Sequence, residues 1–317
     1  MAGCSASPQS PYSPAVSAAQ APASALSSAP EVSKTAPLVF AADGGNRSGG
    51  GAVYAYLQSG KAQSPLWSIG APLAEPSGLW VDGERNLYVS DSTGYVFAFT
   101  APNAKGAPSG PSFTYDDTGL SPTAVALCGN YVYASNESGT LGTQSFTVWT
   151  KGTSAPLRVV SYTGGRGTGD SVTCDAATGN VYFAYQLDDN GDAEIDVWSA
   201  GGTGSPTKLP MEPLSVQGFA LSKAGLLAVG NSYDPEGPAV DFYKQTGNQP
   251  TRRIIASWLS LPVGLAYEKN DANIWIADLD NQALYLANAA SGKLINTITK
   301  PGFRSLLGVA VSPPDHP

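Results

Sequence analysis

Six short segments return through this chain at nearly equal spacing, and that spacing limits the fold more than any other property. Anchored on one position in each, they are Gly78 (PSGLWV), Ala124 (PTAVAL), Ser171 (GDSVTC), Gly218 (VQGFAL), Gly264 (PVGLAY) and Gly308 (LLGVAV). The intervals are 46, 47, 47, 46 and 44 residues. After each anchor a short run alternates large residues with small ones, as in Leu79/Val81, Phe219/Leu221 and Val309/Val311, and the position between the pair is Ala in four of the six copies. A second run follows (LYVSD, YVYASN, VYFAYQ, LLAVGN, IWIAD) and then a third (YVFAFT, FTVWT, IDVWSA, VDFYKQ, LYLANA). Fourth runs are fainter: FTYDD, LRVVSY, TKLPM, RRIIASW and LINTIT. Period-two alternation bounded by Gly, Asn, Asp and Pro marks β-strands.

Four strands in a unit of about 40–50 residues define a β-propeller blade. The two ends of the repeat region complete each other. LVFAAD, AVYAYL and PLWSI, within residues 38–70, supply strands two to four without a first, while GVAVS after Leu307 supplies a first strand alone. Joining them makes six blades and a closed ring with no exposed sheet edge between first and last. The expected fold is therefore an all-β, six-bladed propeller over residues 38–312, with a short tail at 313–317. Composition agrees: charged residues are only 13%, whereas Gly (36), Pro (25) and Tyr (15) are plentiful, as many tight turns between short strands require.

Residues 1–37 differ in kind. Ala, Ser and Pro make up 25 of these 37 positions, with no apolar periodicity, so this segment reads as a disordered tether. It opens MAGCSAS. Small residues before a Cys match the end of a bacterial lipoprotein signal, which makes Cys4 the candidate lipidation site and a membrane-anchored, exported lipoprotein the expected address. The membrane contact is expected through that lipid alone, since no window approaches 18 consecutive apolar residues. The net charge of −8, with no run of Lys or Arg, argues against a nucleic-acid partner.

At GLWVDGERNLYVSDSTGYVFAF and GLAYEKNDANIWIADLDNQALYLANAASGKLINTI the chain resembles the NHL-repeat and SMP-30/gluconolactonase-like six-bladed propellers. The resemblance covers residues 38–312 and implies the fold, not one activity, because such propellers include lactonases, lyases, RNA binders and scaffolds. Propeller lyases and paraoxonase-like hydrolases use channel histidines. The single histidine here is His316, next to the last residue, so histidine-based chemistry has no base. The SMP-30-like resemblance further implies a divalent cation held by a Glu, two Asn and an Asp at the starts of inner strands. The corresponding positions carry Ser77, Thr123, Asp170, Gln217, Val263 and Leu307. Only Asp170 matches by type and place, and Glu75 lies two residues out of register.

The same ring supports a binding reading: Ser77, Thr123, Asp170 and Gln217 form a polar side of the channel mouth, opposite an apolar side from Val263 and Leu307, suited to a small neutral or cationic ligand. Three further features carry alternatives. Asp188, Asn190 and Asp192 have the i, i+2, i+4 spacing of a Ca²⁺ loop, but Ala193 and Ser199 stand where an EF-hand needs Gly and Glu, so an Asn190-Gly191 hairpin turn is the favoured reading. Ca²⁺ at that loop is the one cofactor considered; otherwise none is expected. An acid or amide recurs at the end of second strands (Asp43, Asp91, Asn136, Asn231, Asp278), which points to turn capping. Cys128 and Cys174 lie on adjacent inner strands, either as a disulfide or, the reading favoured, as two buried thiols.

These features together predict an exported, monomeric, non-catalytic propeller that binds an unidentified small molecule or protein. A metal-dependent lactonase is the first alternative and a purely structural surface protein the second.

Overall fold

The structure, a computed structural model, describes residues 33–45, 50–59, 64–137, 143–163, 169–186, 193–211, 215–300 and 302–314, with the backbone alone at 143, 162, 163, 169, 170 and 186. Cys4, the Asp188/Asn190/Asp192 loop and His316 lie outside the described residues. No helix occurs among the described residues; they form six four-stranded antiparallel sheets, five of them with their strands in consecutive order and one joining the last strand to the first three. We number these blades 1 to 6 from the sheet that begins at Pro76. Their inner strands are Pro76–Val81, Ser121–Cys128, Gly169–Cys174, Gly218–Leu221, Pro262–Tyr267 and Leu306–Ser312. Each of the six contains one repeat anchor.

Blade 6 is assembled from both ends of the repeat region, as the sequence predicts. Leu306–Ser312 pairs antiparallel with Leu38–Asp43, which in turn pairs with Ala52–Leu57 and, through it, Trp67–Ile69. The seam is fixed by Asp43, whose Oδ1 accepts hydrogen bonds from the backbone N–H groups of Arg304 (3.1 Å) and Ser305 (2.9 Å).

The core is six layers, one at each blade interface. Strand alternation sends successive side chains to opposite neighbours. In blade 1, Leu79, Val81, Val89 and Phe97 pack toward Phe40 and Ala42 of blade 6. Tyr88, Val96 and Ala98 of the same blade pack toward Val125, Val132 and Trp149 of blade 2. The remaining four interfaces repeat this scheme. The layer between blades 2 and 3 also holds Cys128 and Cys174, joined as a disulfide with Cα atoms 5.8 Å apart. These cysteines stand four and three residues past their anchors. Because adjacent blades present opposite faces to each other, side chains of opposite parity meet, and the bonded alternative is the one the structure adopts.

Outer strands follow the sequence pattern least well. That of blade 3 is Thr203–Lys208, mostly exposed and starting several residues before the apolar TKLPM segment that marked it in the sequence. A strand with one neighbour and little burial carries a weak apolar signal, and Pro206 is tolerated there because one edge needs no ladder bond.

The anchor position itself has a steric cause. A Cβ on Gly218 would stand 2.2 Å from the carbonyl oxygen of Val263, and one on Gly308 would stand 2.1 Å from that of Ser77. Gly78 and Gly264 press closely on the next blade as well, at Ala124 Cα (2.4 Å) and Leu307 O (2.9 Å). Around the axis, therefore, inner strands touch backbone to backbone. Gly308→Ala should destabilise the ring by about 2–3 kcal/mol through overpacking. Ala124→Gly, at the equivalent position of blade 2, should cost no more than about 1 kcal/mol. Urea unfolding of the two variants checks this, and equal losses would show that the axis is not sterically limited.

Candidate functional site

The inner strands enclose an axial channel of about 750 Å³. Each inner strand pairs on one side only, so its other edge faces the axis. Consecutive residues line the wall, as in Ser77 to Val81 and Val263 to Tyr267. Alternate side chains on a strand point to opposite faces, so a wall of consecutive residues is built in large part from backbone.

Just before the anchor, the ladder is interrupted. In blade 2, Pro122 faces Asn136 and Ala124 faces Ser135, which leaves Thr123 as a bulge. Asp170, Val263 and Leu307 are skipped in the same way in blades 3, 5 and 6, and the register of blade 1 shifts between Pro76 and Leu79. In blade 4 the N–H of Gln217 bonds the carbonyl of Gly230, which already faces Gly218. One extra residue per blade at a sheet edge re-aims the chain, and here it does so at one end of the channel. The six positions chosen from the sequence are thus a ring of bulges, and Ser77, Thr123, Gln217, Val263 and Leu307 all line the cavity.

Their side chains do not all serve it. Ser77 Oγ lies 3.0 Å from Ser90 Oγ and donates to the carbonyl of Pro122 at 3.1 Å. Thr123 Oγ1 lies 3.0 Å from Ser135 Oγ. Both hydroxyls are held back against their own second strands, where Ser90 and Ser135 also accept from the anchor N–H groups of Gly78 and Ala124. Gln217 is half-buried and donates from Nε2 to Ser215 Oγ at 3.1 Å. For Asp170 the backbone sits on the inner strand of blade 3, and its side chain is outside the described residues. Among the described residues no three His, Cys, Asp or Glu side chains come together as metal ligands. With two hydroxyls engaged and two aliphatic members, the described part of this ring does not fit a divalent-cation cage.

The charged groups of the channel come from another level. Glu75, Glu137 and Arg304 are the charged residues in its described lining. Glu75 and Arg304 sit on loops that lead into inner strands and Glu137 is the last residue of a second strand, so all three occupy the bulge end. The opposite end is lined by Val81, Leu221, Tyr267, Val311 and Pro314. The recurring acid places two of the three charges, whereas Asn136, beside Glu137, caps no turn among the described residues and donates from Nδ2 to Thr147 and Ser145. Asp91 Oδ2 accepts from the N–H groups of Ala74 (2.8 Å) and Glu75 (3.1 Å), Asp43 holds the N–H of Arg304, and Glu137 directly follows Asn136. In blade 5, Asp278 Oδ2 binds the N–H of Ser260 at 2.7 Å in the same role. Turn capping is thus what these aspartates do, and by capping they orient the rim. Glu75 Oε2 accepts from Ser92 Oγ at 2.7 Å. Of the rim charges only Glu75 drew attention in the sequence; Glu137 carried no signal beyond following Asn136, and Arg304 carried none.

A second polar cluster lies away from the channel. Asp117, 3% exposed, accepts from Thr147 Oγ1 at 2.7 Å, and Thr147 Oγ1 in turn accepts from Asn136 Nδ2 at 2.9 Å. Asp117 Oδ2 is buried without a hydrogen-bond partner. Burial pushes the Asp117 carboxyl up to about 6; the Thr147 bond opposes the rise and the neighbouring Asp116 charge adds to it.

No family model matches the chain, and no curated protein matches its sequence. Solved structures do. A chain of a nidogen/laminin complex has a TM-score of 0.62 at 15% identity, covering 89% of this chain and 99% of that one. A putative 6-phosphogluconolactonase from Bacteroides fragilis gives 0.60 at 13% identity, covering 89% and 99%. A periplasmic gluconolactonase from Pseudomonas aeruginosa gives 0.61 at 14%, covering 87% and 99%. At these identities the likeness is one of fold: a propeller shared by proteins of different roles.

Asp117 sets a pH dependence. An unfolded Asp titrates near 4, so between about pH 4 and 6 the folded state holds the extra proton and stability falls as pH rises. Above about pH 6 this loss is complete, at about 1–3 kcal/mol. Asp117→Asn should therefore melt higher than the parent at pH 7.5 and show a flatter profile from pH 4 to 6. Parallel profiles for parent and variant, followed by calorimetry, would show that Asp117 does not carry this dependence.

Proposed function

We propose that the protein is an exported, non-catalytic propeller that takes a small molecule into its axial channel. The channel carries this reading: about 750 Å³ lies within the range of ligand sites, with an apolar far end and convergent polar groups at one mouth. Export draws support from the Cys128–Cys174 disulfide, since such bonds persist in oxidising compartments. Cys4 is the lipid attachment point in this reading, and the Ala/Ser/Pro-rich segment after it is the tether that holds the propeller off the membrane.

A thermal-shift screen of small neutral and cationic compounds tests the channel. A ligand at one hundred times its Kd stabilises by about 2.7 kcal/mol, or about 4–5 °C for a domain of this size. Val263→Trp, at the bulge ring, should abolish the shift for the same compounds. Equal shifts in parent and variant would place the ligand elsewhere. Hydrolysis of a gluconolactone that requires a divalent cation and disappears in Asp170→Ala would replace this reading with the metal-dependent lactonase.

For the anchor, the chain expressed in a bacterium behind a bacterial lipoprotein export segment joined ahead of Cys4 should incorporate radiolabelled palmitate. Cys4→Ala should remove the label. A label that persists in Cys4→Ala, or never appears, rejects lipidation at Cys4.

A further inference from the structure

The arrangement of charge in the channel identifies the class of molecule that it takes, an inference that rests on the channel being the binding site. Lys, Asp and His are absent from its described lining; its charges are two carboxylates and one guanidinium, all at the bulge end. Arg304 belongs to blade 6, Glu75 to blade 1 and Glu137 to blade 2, so the three come from successive blades on one side of the ring. Among the described residues the rim opposite carries no charge, with Gln217, Val263 and Leu279; the side chain of Asp170, on blade 3, lies outside them. Arg304 and Glu137 are exposed, and among the described residues the guanidinium and the Glu137 carboxylate have no hydrogen-bond or ion-pair partner. Glu75 is half-buried and held in place by Ser92 and Asp91. Beyond this mouth the wall is inner-strand backbone and the edges of Leu79, Phe219, Leu265 and Val309, whose side chains fill the blade interfaces, and the described far end carries no charged residue.

We infer that the channel binds an apolar molecule whose head carries an ammonium next to a carboxyl or carbonyl group: an apolar amino acid or the N-terminus of a short peptide. The ammonium is placed between Glu75 and Glu137, where two carboxylates of successive blades accept its hydrogen bonds. The carboxyl or carbonyl oxygen is placed on Arg304, whose planar donors suit it. The apolar tail then runs down the channel. A molecule of the opposite orientation would bring its charges to the far end, whose described lining has no charged residue to pair with them.

Four probes with one phenyl tail separate the possibilities in titration calorimetry: phenylalanine, phenylalaninamide, phenethylamine and 3-phenylpropionate. Phenylalanine is expected to bind about tenfold more tightly than phenethylamine or phenylpropionate, the size of one charge-assisted hydrogen bond. Phenylalaninamide matching or exceeding phenylalanine assigns the site to peptide N-termini, and the reverse order assigns it to free amino acids. Arg304→Ala should erase the advantage of phenylalanine over phenethylamine. Glu75→Gln combined with Glu137→Gln should erase its advantage over phenylpropionate, while the amide oxygen introduced in place of the Glu75 carboxylate still accepts from Ser92. Circular dichroism melts of each variant establish folding, and Gln217→Trp serves beside Val263→Trp as a second channel-narrowing variant. If all four probes bind alike and narrowing blocks them, the channel is the site and the ligand class proposed here is wrong. If narrowing leaves their binding unchanged, both readings fail.

Discussion

Every feature of this propeller depends on how closely six inner strands approach around one axis. Gly218 and Gly308 sit where a Cβ would come within 2.2 Å and 2.1 Å of a carbonyl oxygen on the next blade. Glycine alone permits that approach without moving backbone. The carbonyls concerned belong to Val263 and Ser77, themselves bulge residues. Bulge and glycine are thus two halves of one contact, repeated in the four blades whose anchor is glycine. Together they close the ring tightly at one end and determine how much space remains along the axis.

The same repeated contact organises polar groups. A bulged residue leaves its backbone out of the ladder, and a capping Asp or a strand-two Ser answers the donors thereby released. Ser90 and Ser135 bond the anchor N–H groups of Gly78 and Ala124, and in doing so engage Ser77 and Thr123. Asp43 and Asp91 bond the loops that precede inner strands, so Arg304 and Glu75 are displayed at the mouth as a consequence of backbone satisfaction. The candidate site is therefore a by-product of the scaffold's own hydrogen bonding, decorated at three positions with charge. The variation from blade to blade gives it direction. Where blades 6, 1 and 2 carry Arg304, Glu75 and Glu137, the bulges of blades 5 and 6 carry Val263 and Leu307.

Closure has more than one support. The seam of blade 6 combines a six-residue antiparallel ladder with the Asp43 cap across 261 residues of chain. Its buried members Leu306, Val309 and Val311 fill the layer shared with blade 5. The interface between blades 2 and 3 is covalent through Cys128 and Cys174. Both devices hold inner strands in place.

The number of blades, the strand order within each, and the closing of the ring by Leu306–Ser312 were all legible in the order of residues. They follow from local alternation and a constant period, which each repeat carries within its own segment. The ring of positions one residue before each anchor was legible too, though that they are bulges was not. What those positions do was settled by the assembled ring. Whether Ser77 offers its hydroxyl to the channel depends on Ser90 and on Pro122 of the next blade, contacts that no local pattern encodes. The pairing of Cys128 with Cys174 rested on which faces of adjacent blades meet, a matter of packing. Glu137 and Arg304 looked like ordinary surface charges in the sequence. Their meeting with Glu75 at one mouth required residues more than 220 positions apart to be brought side by side by a closed ring.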